Sequence, residues 1–234
     1  MALTVWTILW ACIATVILFL PVTISAFFSR SGNLAFTISK LWARIMLWAT
    51  FVKVEIVNKD KIKKGLTYII VSNHQSAFDI LAIVTTLGIQ FRWVIKKELL
   101  KVPLFGYALY ASRNIFIDRS NPGKAIESIN QGTERLHPGT GIIFFAEGTR
   151  SRDGKIHDFK KGAFVMAIVK KLTILPMTVN GSRKIMTKGS WTITPGKIRV
   201  VVADPIETDG YSEKNLEDLV KRTRDIVVSN FVPG

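Results

Sequence analysis

The chain's 234 residues are 48% hydrophobic, 10% aromatic and 21% charged, enough for a sizeable core; this excludes general disorder and allows one globular domain plus an appendage. Lys and Arg number 32 against 17 Asp and Glu, a formal charge of +15, yet residues 1–29 carry no charged side chain. The single Cys12 excludes an intramolecular disulfide and a thiolate metal cluster, and fits a reducing, cytoplasm-facing compartment.

The apolar head, Ala2 to Ser29, is long enough to cross a hydrocarbon core, which takes roughly 20 residues of helix. Pro21 predicts a kink or a stop within it. No Lys or Arg precedes the apolar stretch and no clean Ala-x-Ala site follows it, so the segment is expected to be retained rather than cleaved as a signal peptide. After Ser31-Gly32-Asn33, the spacing of Leu34, Ile38, Leu41, Ile45, Trp48 and Val52 predicts a second helix with an apolar stripe. Lys40 and Arg44 lie on another of its faces, as on a helix at a lipid interface, although a core-packing helix fits the same pattern. Arg30, Lys40, Arg44 and Lys53 all follow the head, a bias that puts the body on the cytoplasmic side of the membrane, expected to be a bacterial inner membrane. Hydropathy leaves open whether the head spans the bilayer or dips into one leaflet. A basic body behind an apolar head suggests a phospholipid surface as partner, while charge alone also allows nucleic acid.

From about Val54, short Ile/Val/Phe-rich runs alternate with helical patterns. Strands are predicted at Thr67–Ser72, Arg92–Ile95, Asn114–Ile117, Gly141–Ala146, Leu172–Val179 and Ile198–Ala203. Helices are predicted at Phe78–Leu87, Pro122–Leu136, Ala163–Lys171 and Ser212–Val228, the second and fourth capped by Asn121 and Ser212. The expected architecture is an α/β domain over residues 54–234, a mostly β sheet flanked by helices, behind a membrane-anchoring helical pair over residues 1–53.

Chemistry concentrates where strands end. His74 and Asp79, five residues apart, cannot pair on one regular helix, but a His74 on the preceding turn lets Asp79 reach back to it. A carboxylate so placed fixes the imidazole tautomer and leaves the other nitrogen as a general base. In Glu147-Gly148-Thr149-Arg150, the glycine permits close backbone approach, the threonine offers a hydroxyl and the arginine a fork suited to phosphate; Lys160 and Lys161 follow before Gly162. His137 and His157 read as a helix-end and a loop residue. No His, Cys and carboxylate cluster has metal-ligand spacing, so no metal is expected. There is no Gly-x-Ser-x-Gly elbow, which leaves Ser76 as the one weak candidate nucleophile.

Asn73-His74-x4-Asp79, Ile115-Phe116-Ile117-Asp118-Arg119, Phe145-Ala146-Glu147-Gly148-Thr149-Arg150-Ser151 and Leu175-Pro176-Met177, in this order, resemble the four motifs of the glycerolipid acyltransferases, most nearly the bacterial 1-acyl-sn-glycerol-3-phosphate type. Lys96-Lys97-Glu98-Leu99 and Pro103 to Gly106 also look typical, and the resemblance covers about Val71 to Gly181. It implies acyl transfer from acyl-CoA or acyl carrier protein to the sn-2 hydroxyl of lysophosphatidate, giving phosphatidate. His74 is then general base, oriented by Asp79, with direct attack and no acyl-enzyme. Arg119 and Arg150 are implied as phosphate ligands, and Glu147 as holding a glycerol hydroxyl or organising its loop. Leu175, Pro176 and Met177 shape the acyl or donor side, or simply form a buried strand. No cofactor and no nucleic-acid partner are implied. Two positions depart from the pattern: Ala146 stands where proline is more usual, and Arg113 where glycine often precedes the second motif. A sibling enzyme using glycerol-3-phosphate or another lysophospholipid fits the same motifs, and a non-catalytic module binding anionic lipid or nucleic acid fits them less well.

Overall fold

Five consecutive residues, Tyr68-Ile69-Ile70-Val71-Ser72, are all buried, the signature of a strand covered on both faces. In the computed structural model, which describes residues 2–118 and 122–233, this strand (β2) is central to a sheet of seven strands. In chain order the others are β1 (Val52–Val57), β3 (Phe91–Lys96), β4 (Ile115–Ile117), β5 (Gly141–Phe145), β6 (Thr173–Asn180) and β7 (Gly196–Val202). The spatial order is β1-β7-β6-β2-β5-β3-β4, and every pair is parallel except β6 with β7. The sheet is therefore mixed. Alternate residues of β2 feed opposite faces, as a period of two requires: Tyr68 and Ile70 join a core with Phe36, Ile83 and Val179, while Ile69 and Val71 join one with Phe164, Ile174 and Leu219.

The helices are α1 (Ala2–Phe28), α2 (Asn33–Ala49), α3 (Phe78–Thr86), α4 (Phe105–Ala111), α5 (Pro122–Glu134), α6 (Gly162–Val169), α7 (Ser182–Ile185) and α8 (Leu216–Ser229). Ser212 caps the chain into α8 through one 3₁₀ turn, in a reciprocal capping box with Asn215. The expected cap Asn121 lies outside the described residues.

The head does not stop at Pro21: α1 continues through it to Phe28. Proline removes the bond to the carbonyl four residues earlier and crowds that carbonyl, while just beyond it Val22 packs in a small cluster with Ala35 and Ala111. The stripe predicted on α2 is largely its outward face: Leu34, Leu41 and Trp48 are exposed, while Phe36, Ala43 and Leu47 enter the core. Leu34, Leu41 and Trp48 are thus exposed apolar side chains on α2, as Val16, Leu20, Phe27 and Phe28 are on α1. Val52, read as the end of the α2 pattern, instead opens β1, whose Val52-Lys53-Val54-Glu55-Ile56-Val57 alternation escaped the sequence reading.

Arg92 joins the helical pair to the sheet. Its guanidinium is fully buried and donates to the Ser31 carbonyl at 2.9 Å, Asn33 Oδ1 at 2.5 Å, Gln90 Oε1 at 3.1 Å and the Phe91 carbonyl at 2.8 Å. Burial pulls its pKa down to about 10, so it stays charged at neutral pH while it pins the α1–α2 turn. Arg113 serves the same junction. Its backbone is left-handed, with φ of 57°, which explains why glycine suits this position, and its stem fills the space beside Gly32, where a Cβ would meet Arg113 Cγ at 2.6 Å.

Candidate active site

Because β2, β3, β4, β5 and β6 all point the same way, their carboxyl ends share one edge, where ligand sites of parallel sheets gather. At the end of β2 the Asn73 side chain imitates a strand, donating to the Val179 carbonyl (3.0 Å) and accepting from the Val179 amide (2.8 Å). That fixes the start of the turn carrying His74. The turn precedes α3, so His74 is not on the helix of Asp79, and Nδ1 meets Asp79 Oδ2 at 2.8 Å. The same oxygen accepts the amides of Gln75 (2.7 Å) and Ser76 (2.9 Å). An oxygen that already accepts two backbone amides is placed to accept a third bond from a proton on Nδ1, the tautomer that leaves Nε2 with its lone pair. Asp79 is wholly buried, whereas the His74 side chain keeps 13% of its surface exposed, which is enough for a reactant to reach it.

Phe145, at the end of β5, stacks on the imidazole with ring centroids 3.7 Å apart and 7° between planes, and Trp93 packs behind it. Aromatic pairs of this kind contribute about 0.5–1.5 kcal/mol beyond area burial. Phe145→Leu is therefore expected to lower kcat about 3- to 10-fold by loosening the imidazole plane, read by steady-state acyl transfer, with the melting temperature recorded in parallel.

Glu147 is 6% exposed and accepts two backbone amides, His74 N at 2.8 Å on Oε1 and His157 N at 3.0 Å on Oε2. Its two oxygens tie the His74 turn to the His157 loop rather than pointing at solvent. Burial raises its pKa, against the two amide bonds that lower it. The Ala146 amide donates to the Ser72 carbonyl at 3.1 Å, a bond for which the proline more usual here has no N–H. Gly148, with φ of 75°, closes the turn and leaves space for the stem of Lys160; a Cβ there would meet Lys160 Cε at 2.9 Å. Ser151 N reaches back to the His74 carbonyl at 2.8 Å.

A cavity of about 390 Å³ opens at this edge, lined among others by His74, Lys96, Phe145, Gly148, Thr149 and Arg150. It adjoins a narrow apolar cavity of about 110 Å³ between α1, α2, α3 and α4, and the two share Ile80, Trp93, Phe105 and Leu109. The structure thus gathers His74, Asp79, Glu147, Gly148, Thr149 and Arg150, with Lys160 beside Gly148. Lys161 turns away to pair with Glu217 on α8. Leu175, Pro176 and Met177 sit inside β6, paired with Ile70, Val71 and Ser72 of β2, and line neither cavity. Arg119 lies outside the described residues, next to Asp118, which pairs with Lys97 at 2.5 Å. Ser76 Oγ donates to the Met186 carbonyl at 2.7 Å. His157 pairs with Asp153 at 3.0 Å on an exposed loop. Among the described residues no three His, Cys, Asp or Glu side chains group as metal ligands. Sequence reasoning gave no chemical role to Phe145, Trp93 or Lys96; the Lys96-Lys97-Glu98-Leu99 run was the available signal for the last.

A family model described as Acyltransferase matches residues 53–180. The 1-acyl-sn-glycerol-3-phosphate acyltransferase of Limnanthes douglasii is 34% identical over 203 residues, covering 86% of this chain and 70% of that protein. The enzyme of the same name from Pseudomonas aeruginosa is 30% identical over 228 residues, covering 90% and 87%. The crystal structure of the 1-acyl-sn-glycerophosphate (LPA) acyltransferase PlsC from Thermotoga maritima matches with a TM-score of 0.80 at 26% identity, over 99% of this chain and 97% of that one. The chain that builds the His74–Asp79 pair therefore belongs to the acyltransferase family, with the O-acyltransferase activity for which its 1-acyl-sn-glycerol-3-phosphate relatives are named.

Proposed function

We propose that the chain transfers an acyl group from a thioester, acyl-CoA or acyl carrier protein, to the sn-2 hydroxyl of lysophosphatidate at the cytoplasmic face of a membrane. The observation that carries this is His74, its Nδ1 held by Asp79, lining the same cavity as Thr149 and Arg150. His74 takes the hydroxyl proton as the alkoxide oxygen attacks the thioester carbonyl. The new C–O ester bond forms, the C–S bond breaks, and the departing thiolate takes the proton from the imidazolium, which Asp79 has stabilised. The transfer calls for no cofactor and no covalent enzyme intermediate. Arg150, with Arg119, supplies cations for the acceptor phosphate. The apolar lining of the cavity between the helices suits the first methylenes of an acyl chain.

In this reading residues 1–53 anchor the chain and residues 54–234 carry the transfer. The exposed apolar faces of α1 and α2 support a site held at the lipid surface, where an acyl chain need not be drawn into water at about 0.8 kcal/mol per CH₂. The test is thiol release from acyl-CoA and from acyl carrier protein in detergent micelles, with lysophosphatidate, glycerol-3-phosphate and lysophosphatidylcholine as competing acceptors. Phosphatidate formation, at a kcat/KM at least tenfold above that with either alternative, is the expected result. Preference for another acceptor moves the assignment to a sibling enzyme.

A further inference from the structure

Lys188 lies on the loop between α7 and β7, outside every motif read from the sequence. Its ammonium donates to Thr149 Oγ1 at 2.9 Å and to the Arg150 carbonyl at 2.7 Å. The next amide, Ser151 N, donates to the His74 carbonyl at 2.8 Å. The Arg150–Ser151 peptide is thus clamped on both sides, its oxygen by Lys188 and its N–H by the turn that carries the base. The clamp itself is anchored: the Met186 carbonyl accepts Ser76 Oγ at 2.7 Å, and the Trp191 carbonyl accepts Thr4 Oγ1, in the first turn of α1, at 3.0 Å. A lysine held by fixed neighbours on either side spends two of its three donors on the backbone and hydroxyl of one short loop.

We propose that Lys188 is a positioning residue for the acceptor: it fixes Thr149 and Arg150 at a set distance from His74, so that one bound phosphate brings one particular hydroxyl to Nε2. The inference rests on the reading of Arg150 as a phosphate ligand. Charge-assisted bonds to a carbonyl and a hydroxyl resist peptide rotation better than neutral ones, and a displacement of about 1 Å in a substrate-holding group costs on the order of 100-fold in rate. Methionine keeps the length and the packing of the stem while removing every donor.

The test measures both substrates on the full chain in detergent micelles. Lys188→Met is expected to lower kcat/KM for lysophosphatidate about 10- to 100-fold, through a lower kcat and a higher KM, to change KM for acyl-CoA less than twofold and to leave the melting temperature in place. Lys188→Arg is expected to recover most of the loss, since it restores donors to the same acceptors. In a Thr149→Val background the Lys188→Met effect shrinks, because part of what the ammonium holds is already gone. An unchanged kcat/KM for lysophosphatidate, equal rises in both KM values, or full additivity with Thr149→Val would each overturn the assignment. If the unsubstituted chain makes no phosphatidate while the melt shows it folded, the acceptor reading itself fails; if it makes phosphatidate and Lys188→Met matches it, this inference alone fails.

Discussion

Asp79→Asn is expected to reduce kcat for acyl transfer by on the order of 10³- to 10⁴-fold, the loss seen when the orienting carboxylate of a histidine-based triad becomes an amide. Oδ2 is the focus of three donors, His74 Nδ1 and the amides of Gln75 and Ser76, while the buried Oδ1 meets no partner among the described residues. An asparagine has two ways to sit in that space. With its carbonyl at the Oδ2 position it keeps the three donors, loses the charge that stabilises the imidazolium, and buries an NH₂ where Oδ1 found nothing to bond. With its NH₂ at the Oδ2 position it opposes two backbone N–H groups and drives the imidazole proton to Nε2, which removes the base. The first arrangement leaves unpaired donors at about 1–3 kcal/mol, so the variant melts lower but folds. Steady-state transfer at saturating substrates, with nitrogen NMR of the His74 ring to read its tautomer, checks both parts. A loss of less than tenfold would show that the imidazole keeps its orientation without the carboxylate.

The parts of the site that share a short stretch of chain are legible in the amino-acid sequence. A strand ending in Asn73 and a helix starting near Phe78 bracket His74 and Asp79, and a reach of five residues across that turn is a local question. Buried strands are legible for the same reason, since β2 and β5 announce themselves as runs of Ile, Val and Phe. What stays hidden depends on strand order. Sequence does not say that β5 lies beside β2, and it is this adjacency that lays Phe145 on the imidazole and brings both oxygens of Glu147 to amides of His74 and His157. Nor does it say that the carboxyl end of β6 and the loop after α7 return to the same edge, which is how Lys188 reaches Thr149. Lys160 and Lys161 look alike in sequence, yet the helical start at Gly162 sends one toward Gly148 and the other toward Glu217. The continuation of α1 past Pro21 follows a different logic: the proline penalty is local, whereas the contacts of Val22 with Ala35 and Ala111 come from residues beyond the helix.

Glu147→Gln is expected to lower kcat/KM on the order of 100-fold, although the side chain touches neither the base nitrogen nor, in this reading, the acceptor. A carboxylate offers two accepting oxygens, and here each is used on a different segment, the His74 turn and the His157 loop. An amide accepts on one side only; its NH₂ then faces a backbone N–H, donor against donor, and one segment moves away at a cost of about 1–3 kcal/mol. The pH dependence separates this from a generic defect. Burial raises the Glu147 pKa above the ordinary carboxylate value of about 4.3, so acidification protonates it sooner than it would an exposed carboxylate, and the clamp weakens as it does. Activity should therefore carry an acid limb from Glu147 that is missing in Glu147→Gln. Stability runs the opposite way. A folded-state pKa above the unfolded one means that the native protein binds more protons between the two values, so the unfolding free energy of the unsubstituted chain, relative to the non-titrating variant, falls as pH rises through that window and is flat above it. Burying the charge thus costs stability at neutral pH in return for a rigid acceptor loop. Paired pH–rate and pH–melting curves for the two proteins test both signs, and a variant that keeps activity within tenfold, or a relative stability that rises across the window, would remove Glu147 from this role.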